Sequence, residues 1–464
     1  MTVRSVSLHP PRGVSRPLTG ALWRRPDFRR LWASQTISLL GSEITLLALP
    51  LAAIALGAGA KEMGWLTAIR FLPTLLLGLL VGAWVDRLPR RPLLIATDLG
   101  RGAVLAAVPL AALTGHLRLE LLYPLAFLAA ALAVLGDVAH ATYLPVLVER
   151  ERLVEGNSTL AVGDQAARIV GPTVAGALVQ AASAPFALLA DAVSFLCSAT
   201  LLGTIRTREP ALAPGRGPGG PRAIWRQVGE GVRFVVGDPV LRPLTGVWGL
   251  YFFAFFLFWA QFPLFAIRDL GLSPAMLGAI GSAGAVGGVL GALATGRITA
   301  RWGLGPTLAG AVLVGALGVL VNAAAGGPPL AAAAVLLVGQ FLVRFTDQLF
   351  AINYTSACQT LPPDRLRGRV NASVRVLTAG AAPVGALLGG LVAGAIGLRA
   401  LAVVAGLGVV VAFLWLALSP VRSLRKLSDA STETAPDASA GTTPAPAVIP
   451  AEGQTPRVPA SETG

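Results

Sequence analysis

The sequence predicts an all-α membrane protein in which twelve transmembrane helices form two six-helix bundles. The chain of 464 residues is 54% hydrophobic and 13% charged, whereas a soluble domain carries about 25% charged residues. With a mean hydropathy of +0.70, such a chain cannot cover a water-exposed surface, which excludes a soluble enzyme. Twelve spans of about 20 residues need roughly 240 residues, so the chain accommodates them with loops and tails.

The apolar segments fall into two groups of six, separated by a Pro- and Gly-rich linker. Each segment is long enough to cross the hydrocarbon layer as a helix, in which the backbone satisfies its own hydrogen bonds. The predicted spans are 30–57, 62–86, 92–115, 119–146, 159–184, 186–205, 241–267, 273–296, 304–325, 328–355, 370–397 and 399–419. The predicted regions are a cytoplasmic arm (1–29), an N-terminal bundle (30–205), a cytoplasmic linker (206–240), a C-terminal bundle (241–419) and a disordered cytoplasmic tail (420–464).

The distribution of basic residues predicts the orientation of these spans. Of the 37 Lys and Arg residues, 28 fall in the tails and loops on one side and four in the loops on the other. Cytoplasmic loops carry the excess of Lys and Arg, so both termini are predicted to be cytoplasmic. The same placement explains the net charge of +14 by topology, and nucleic acid is not a predicted partner.

The two groups of spans are related by an internal repeat. The offset between matching residues grows slowly along the chain, as small loop insertions would produce. The matches are Gly78 with Gly287, Gly82 with Gly291, Asp86 with Thr295, Asp137 with Asp347 and Gly171 with Gly385. Two such repeats related by a pseudo-two-fold axis along the membrane normal place a substrate path between the halves, near the middle of the membrane.

A glycine-spaced motif closes the second span and enters an arginine-rich loop. Glycines four residues apart, Gly78 and Gly82, let two membrane helices approach closely. Asp86 can pair with an arginine or face a helix N-terminus in one conformation and lose that contact in another. The predicted conformational gate comprises Gly82, Asp86, Arg87 and Arg91. A positive-inside loop with one neutralising carboxylate is an equally good interpretation.

The first hundred residues also resemble a known family. The residues that carry the resemblance are Gln35, Pro50, Arg70, Pro73, Asp86-Arg87 and Asp98-Leu99-Gly100-Arg101. With them the chain resembles a major facilitator superfamily transporter, and it is most similar to the branch that contains macrolide-efflux and enterobactin-exporter proteins. The resemblance spans about residues 28–420.

The resemblance implies the major facilitator fold and export of a small molecule, usually coupled to inward proton flow. It also implies that Asp86, Arg87 and Arg91 act as a conformational switch, while Thr295 replaces the acid in the second half. The segment Gly171–Gly176 is similar to the Gly-Pro motif of proton-driven drug antiporters. A close-packed, kinked helix also explains that segment.

Ionisable residues inside the spans are the leading site candidates, because a charge at membrane depth is costly and tends to face a cavity or a partner. Glu43, near the middle of the first span, is the leading proton site, since a carboxyl in such a place can load and release a proton. A protonated packing residue is an equally good interpretation. Asp137 and Asp347, which match in the repeat, are the other predicted proton-coupling residues.

Further charged and aromatic residues complete the predicted cavity. Arg70 can pair with Glu43 or with a substrate anion, while Arg344 and Asp347 have the helical spacing of a local ion pair. Asp98 with Arg101, and Asp164 with Arg168, have similar spacing and are predicted to be structural pairs. The predicted substrate cavity comprises Glu43, Arg70, Trp259, Gln261 and Arg344.

Two segments leave alternatives open. Residues 251–265, in the seventh span, are mostly aromatic, and we expect most of these rings to face lipid, with Trp259 and Gln261 as exceptions. Ile224, Val228 and Val232 recur in the linker at helical spacing with arginines among them. They predict a helix on the inner leaflet, although a plain linker fits equally well.

The predicted function is therefore secondary active transport. The chain has two lysines, neither in a Walker loop, and no catalytic or metal constellation, so no enzymatic activity, cofactor or metal is predicted. We expect export of an amphipathic drug, antibiotic or siderophore by proton antiport across a bacterial plasma membrane. The expected partners are this substrate, protons and lipid, with the chain as a monomer. Proton-coupled import and a non-transporting sensor on the same fold are the alternatives.

Overall fold

The structure is a computed structural model that describes residues 21–85, 87–207, 209 and 221–425. Within these residues every regular element is helical. The N-terminal helices are α1 (Pro26–Ala55), α2 (Ala60–Val85), α3 (Arg90–Leu113), α4 (Leu119–Leu147), α5 (Leu153–Ala182) and α6 (Ala184–Gly203). The linker contains α7 (Pro221–Gly237), and the C-terminal helices are α8 (Leu241–Trp259), α9 (Pro274–Trp302), α10 (Leu304–Ala324), α11 (Pro329–Thr360), α12 (Asp364–Ile396) and α13 (Leu398–Leu418).

The helices follow the predicted spans, and most are longer at the end that is predicted to be cytoplasmic. Helix α1 begins at Pro26, inside the predicted arm, because proline suits the first turn of a helix. Ten helical segments are long and apolar enough to cross a membrane, and α2 and α5 complete the two groups of six. Most of the predicted arm and tail (1–20 and 426–464) and part of the linker (210–220) lie outside the described residues.

The internal repeat is confirmed by the way the helices pack. In the N-terminal bundle α1 packs against α5 and α6, α3 against α4 and α6, and α2 against α4. In the C-terminal bundle α8 packs against α12 and α13, α10 against α11 and α13, and α9 against α11. Each contact in one bundle therefore has its counterpart in the other, as a two-fold repeat requires.

The two bundles meet where α5 crosses α9 and where α2 crosses α12. Both crossings use glycine, which lets membrane helices approach closely. A Cβ on Gly278 would come within 3.1 Å of the Gly176 Cα, and a Cβ on Gly390 would come within 3.1 Å of the Lys61 Cα. These residues belong to the halves of the helices that the charge distribution assigns to the outer side of the membrane.

Polar and aromatic side chains reinforce this seam between the bundles. The Thr173 hydroxyl lies 2.7 Å from the Ser282 hydroxyl, and the Thr173 backbone N–H donates to Ser282 Oγ at 3.2 Å. The Phe71 and Phe256 rings meet edge to face with their centroids 4.9 Å apart. Hydrogen bonds and close packing therefore both join the bundles across this part of the membrane.

The linker forms a helix, so the expectation of a helix in this segment is confirmed. Helix α7 lies against α12, where the Ser373 hydroxyl donates to the Val228 carbonyl oxygen at 2.7 Å. The Arg369 guanidinium forms an ion pair with Glu230, and Gly231 packs directly on the backbone of Arg369. The linker is thus attached to the C-terminal bundle.

The seam makes a testable prediction for Gly278. A valine there would push α5 away from α9, because overpacking a tight contact typically costs about 1–3 kcal/mol. We expect oxidative cross-linking between Thr173→Cys and Ser282→Cys, with Cys197 and Cys358 replaced by serine, to slow several-fold in Gly278→Val. Gly296→Val on the same helix is the matched control, since a Cβ there meets nothing within 4 Å. Equal cross-linking in both variants would contradict the tight crossing.

Candidate functional site

Glu43 lies near the middle of α1, on the side that α5 covers. Its side chain is 12% exposed, and its Oε1 atom lies 3.5 Å from Nη1 of Arg168 on α5. Helix α5 comes this close because Gly171 follows Arg168 by one turn. A Cβ on Gly171 would come within 2.5 Å of the Glu43 Cβ. Glu43, which has no basic residue within a helical turn along α1, therefore has a cationic partner from another helix.

Two further arginines act on the same carboxylate. The charges of Arg70 on α2 and Arg344 on α11 both reach Glu43. Because α11 belongs to the C-terminal bundle, this electrostatic interaction crosses the seam. Of the three arginines that act on Glu43, Arg168 is the one in direct ion-pair contact. The structure thus brings together three of the predicted cavity residues, Glu43, Arg70 and Arg344.

Aromatic rings of α8 support Arg344 on the C-terminal side. Its guanidinium carbon lies 4.9 Å from the Trp259 ring centroid and 5.4 Å from the Phe255 ring centroid, within the range of cation–π attraction. Asp347, one helical step along α11, lies 4.0 Å from Arg344, as the spacing predicts. Trp259, another predicted cavity residue, is therefore part of this cluster.

Gln261 lies at a break in the seventh span. Helix α8 ends at Trp259, and after one short turn the chain forms a π-helical turn over Phe265–Asp269. The Gln261 side chain is completely buried, and neither of its amide atoms has a hydrogen-bond partner among the described residues. In this conformation Gln261 is enclosed rather than open to solvent. An unpartnered buried amide typically costs about 1–3 kcal/mol.

The aromatic residues of α8 mostly face protein rather than lipid. Trp248 is stacked between Tyr251 and Phe350, with ring centroids 5.6 Å and 4.9 Å away. These rings, together with Phe256 and Phe258, are at most 8% exposed. The expectation that most of them face lipid is wrong, because α12 and α13 pack against α8 and Phe350 of α11 stacks on Trp248.

A second group of charged residues is buried inside the N-terminal bundle. The Arg101 guanidinium lies 4.0 Å above the Phe195 ring centroid and donates to the Ser42 hydroxyl at 3.1 Å. The charges of Asp191, Asp137 and Asp98 all act on it. A single arginine therefore serves three carboxylates that belong to three different helices.

The two most deeply buried of these carboxylates accept hydrogen bonds from hydroxyl groups. Asp98 accepts from Ser198 at 2.6 Å. Asp191, which is completely buried, accepts from Thr45 and from Ser194. Satisfied hydrogen bonds are what allow such groups to lie inside a bundle. Local spacing predicted only the association of Asp98 with Arg101, whereas the network also includes Asp191 and ties α1, α3 and α6 together.

The predicted pairing of Asp164 with Arg168 is replaced by contacts to other helices. Asp164 accepts a hydrogen bond from Gln35 Nε2 at 3.0 Å, while Arg168 turns to Glu43. Asp137, the second proton-coupling candidate, is exposed, and the charge of Arg168 reaches it as well as Glu43. Arg168, which was not predicted to be a site residue, therefore links two of the three candidate carboxylates.

The predicted gate is only partly visible. Asp86 lies outside the described residues, and Gly82 is part of α2. Arg87 is exposed. Arg91 donates from Nε to the Leu202 carbonyl at 2.9 Å and also to the Gly203 carbonyl. Arg91 thus binds the end of α6 in its own bundle, where it compensates unpaired C-terminal carbonyls.

The start of the linker is held at the same place. The carboxylate of Glu209 accepts hydrogen bonds from the backbone N–H groups of Arg90 and Arg91, at 2.8 and 2.6 Å. A carboxylate is favoured there because these groups form the N-terminus of α3. In the described part of the chain, no group of three His, Cys, Asp or Glu residues is arranged to hold a metal ion.

Comparison with known proteins gives a consistent match over most of the chain. The profile of the Major Facilitator Superfamily matches residues 31–382 and 249–449. The chain is 31% identical to the multidrug efflux pump Tap of Mycolicibacterium fortuitum, over 81% of this chain and 91% of that protein. It is 30% identical to the multidrug efflux pump Tap of Mycobacterium tuberculosis, over 81% of this chain and 89% of that protein.

The fold is also found among solved structures. A bacterial homologue of the iron transporter ferroportin, in its inward-facing state, superposes with a TM-score of 0.69 at 20% identity. The match covers 86% of this chain and 99% of that one. At this level of identity the similarity concerns the fold.

Arg101 gives a prediction about stability. Arg101→Ala would remove the cation whose charge acts on the buried Asp98 and Asp191, and a buried charge left uncompensated typically costs about 3–5 kcal/mol. We expect a large fall in the Tm of purified Arg101→Ala in detergent. The Tm of Arg101→Lys should lie between those of the wild type and Arg101→Ala. Arg118→Ala, at an exposed arginine before α4, is the control and should leave Tm unchanged. A Tm for Arg101→Ala equal to that of the control would show that the network does not stabilise the bundle.

Proposed function

Because the chain belongs to the Major Facilitator Superfamily, we propose that it exports small amphipathic molecules in exchange for protons. The family, the helical spans and the two-bundle fold make it a multi-pass membrane transporter. The relatives named as multidrug efflux pumps support a drug or an antibiotic as the exported molecule, while a siderophore rests on the resemblance of the sequence alone. The observation that supports proton coupling is the position of Glu43 between cationic side chains of both bundles.

Glu43 is suited to coupling because its charge acts on both bundles. It is paired with Arg168 of its own bundle at 3.5 Å and interacts with Arg344 of the other. Proton binding would remove the negative charge that these cations share. A proton can shift a conformational equilibrium only if it binds the two states unequally. A carboxylate whose cationic neighbours belong to two moving bodies meets that condition.

The seam between the bundles supports alternating access. Its closest packing lies in the outer halves of α2, α5, α9 and α12. Towards the cytoplasmic ends of three of these helices, a Cβ on Gly78, Gly296 or Gly368 would meet nothing within 4 Å. Tight packing of the outer halves supports a cleft that is closed on the outside and open to the cytoplasm in this conformation. Export then requires the Thr173–Ser282 contact to open.

The same proposal includes the location of the chain. The excess of basic residues on one side supports a plasma membrane protein with both termini in the cytoplasm. Proton-coupled import differs from export only in the direction of flux, and a sensor on this fold would show no flux. Transport measurements in vesicles of known orientation separate the three.

Glu43→Gln tests the proton coupling. Glutamine keeps the size and hydrogen-bonding capacity of glutamate but cannot exchange a proton. In inverted vesicles acidified by respiration, we expect wild-type protein to release luminal protons when an exported compound is added, seen as dequenching of acridine orange. The compounds to test are those that inhibit the growth of cells expressing the protein less strongly than the growth of cells that do not express it. In Glu43→Gln the dequenching should fall to the level seen in vesicles that lack the protein.

Glu120→Gln, an exposed carboxylate at the outer end of α4, is the matched control and should behave as wild type. If Glu43→Gln is as active as this control, Glu43 does not carry the proton. If a compound to which the chain confers resistance never dequenches the dye, export is not proton antiport.

Asp86→Asn tests the proposed gate. If Asp86, with Arg87 and Arg91, favours one conformation through its charge, the neutral amide should slow transport while leaving Tm unchanged. The measurements are the initial rate of the same vesicle assay and the Tm in detergent. Unaltered turnover with unaltered Tm would remove the gate from the mechanism.

A further inference from the structure

Helix α7 has two apolar faces, and the protein covers only one of them. Val228 and Val235 are 6% and 2% exposed, where the helix packs on the C-terminal bundle. Trp225 and Val236 are 61% and 55% exposed. Packing on α12 accounts for the first face and leaves the second without a protein partner among the described residues. An exposed apolar patch of this kind is typical of a surface that contacts a membrane or another protein.

The exposed Trp225 and Val236 lie on one stripe of the helix together with the half-buried Val232. Gly229, Val232 and Val236 follow Trp225 by four, seven and eleven residues, which is the spacing of a single helix face. Arg226 and Arg233, seven residues apart and both exposed, form a parallel row beside the stripe. An apolar stripe with a row of arginines along its edge is the pattern of a helix that lies in a membrane surface.

The attachment of α7 places this stripe at the level of the cytoplasmic headgroups. Its contacts to α12, Ser373 with Val228 and Arg369 with Glu230, lie in the first three turns of a helix that begins at Asp364. The Arg369 contact holds the acidic side of α7 towards the protein. Positive charge therefore predominates on the open side, which is complementary to an anionic surface.

We propose that the open face of α7 binds anionic lipid of the inner leaflet, with Trp225, Val232 and Val236 among the upper acyl carbons and Arg226 and Arg233 on the headgroup phosphates. This site is separate from the cleft and does not depend on the transported molecule. Each arginine near an anionic surface contributes about 1 kcal/mol, or roughly fivefold enrichment of anionic over neutral lipid.

Quenching of Trp225 by brominated lipid tests the site in the full-length protein. The chain contains nine tryptophans, so the signal of Trp225 is the emission lost in Trp225→Phe. The protein is reconstituted in phosphatidylcholine vesicles with a small fraction of either brominated phosphatidylglycerol or brominated phosphatidylcholine. We expect stronger quenching of Trp225 by the anionic lipid, and equal quenching by both lipids in the double variant Arg226→Gln, Arg233→Gln.

The matched control is Arg118→Gln with Arg268→Gln, two exposed arginines at outer ends of the spans. It changes the net charge equally and should keep the anionic preference of Trp225. Three outcomes would overturn the proposal. Trp225 could be unquenched by both lipids, as in water. Its quenching could be equal for both lipids in the wild type. The quenching could also depend on the protein-to-lipid ratio rather than on the lipid headgroup, which would indicate that Trp225 contacts a second copy of the chain.

Discussion

The position of α5 between two neighbours is the constraint on which the rest of the structure depends. At Gly171 it packs on the Glu43 side chain of α1, and five residues later Gly176 packs on Gly278 of α9. One helix therefore touches the leading proton site and forms the seam between the bundles. A side chain at either glycine would separate α5 from its neighbour. The helix that forms the seam with α9 therefore also carries Arg168, the partner of Glu43.

The charged groups of the membrane region divide into two sets with different surroundings. Asp98, Asp191 and Arg101 are enclosed in one bundle, with hydroxyl donors on both carboxylates. They have the features of a structural network, because no part of it crosses the seam. Glu43 and Arg344 interact across the seam, so the relative position of the bundles changes their energy. A charge contributes to a conformational equilibrium only if its interactions differ between the two states. A charge whose partner belongs to the other bundle meets this condition when the bundles move.

The linker connects the N-terminal bundle with a helix of the seam. Its first part is held at the N-terminus of α3 by Glu209, and α7 is held on α12 by Ser373. Helix α12 in turn forms the seam with α2. A helix anchored in the inner headgroups would therefore be joined directly to one of the helices that separate when the bundles move.

The sequence by itself determined the membrane class, the twelve spans and the two-fold repeat, because hydropathy and basic loops depend on the bilayer and not on particular neighbours. It also selected Glu43, Arg70 and Arg344 as site candidates, since charge at membrane depth is visible along the chain. Only the tertiary structure decided their partners. Arg168 meets Glu43 from a point 125 residues away, and the aromatic face of α8 turned inward, because contacts between helices follow from their packing and not from spacing along one of them.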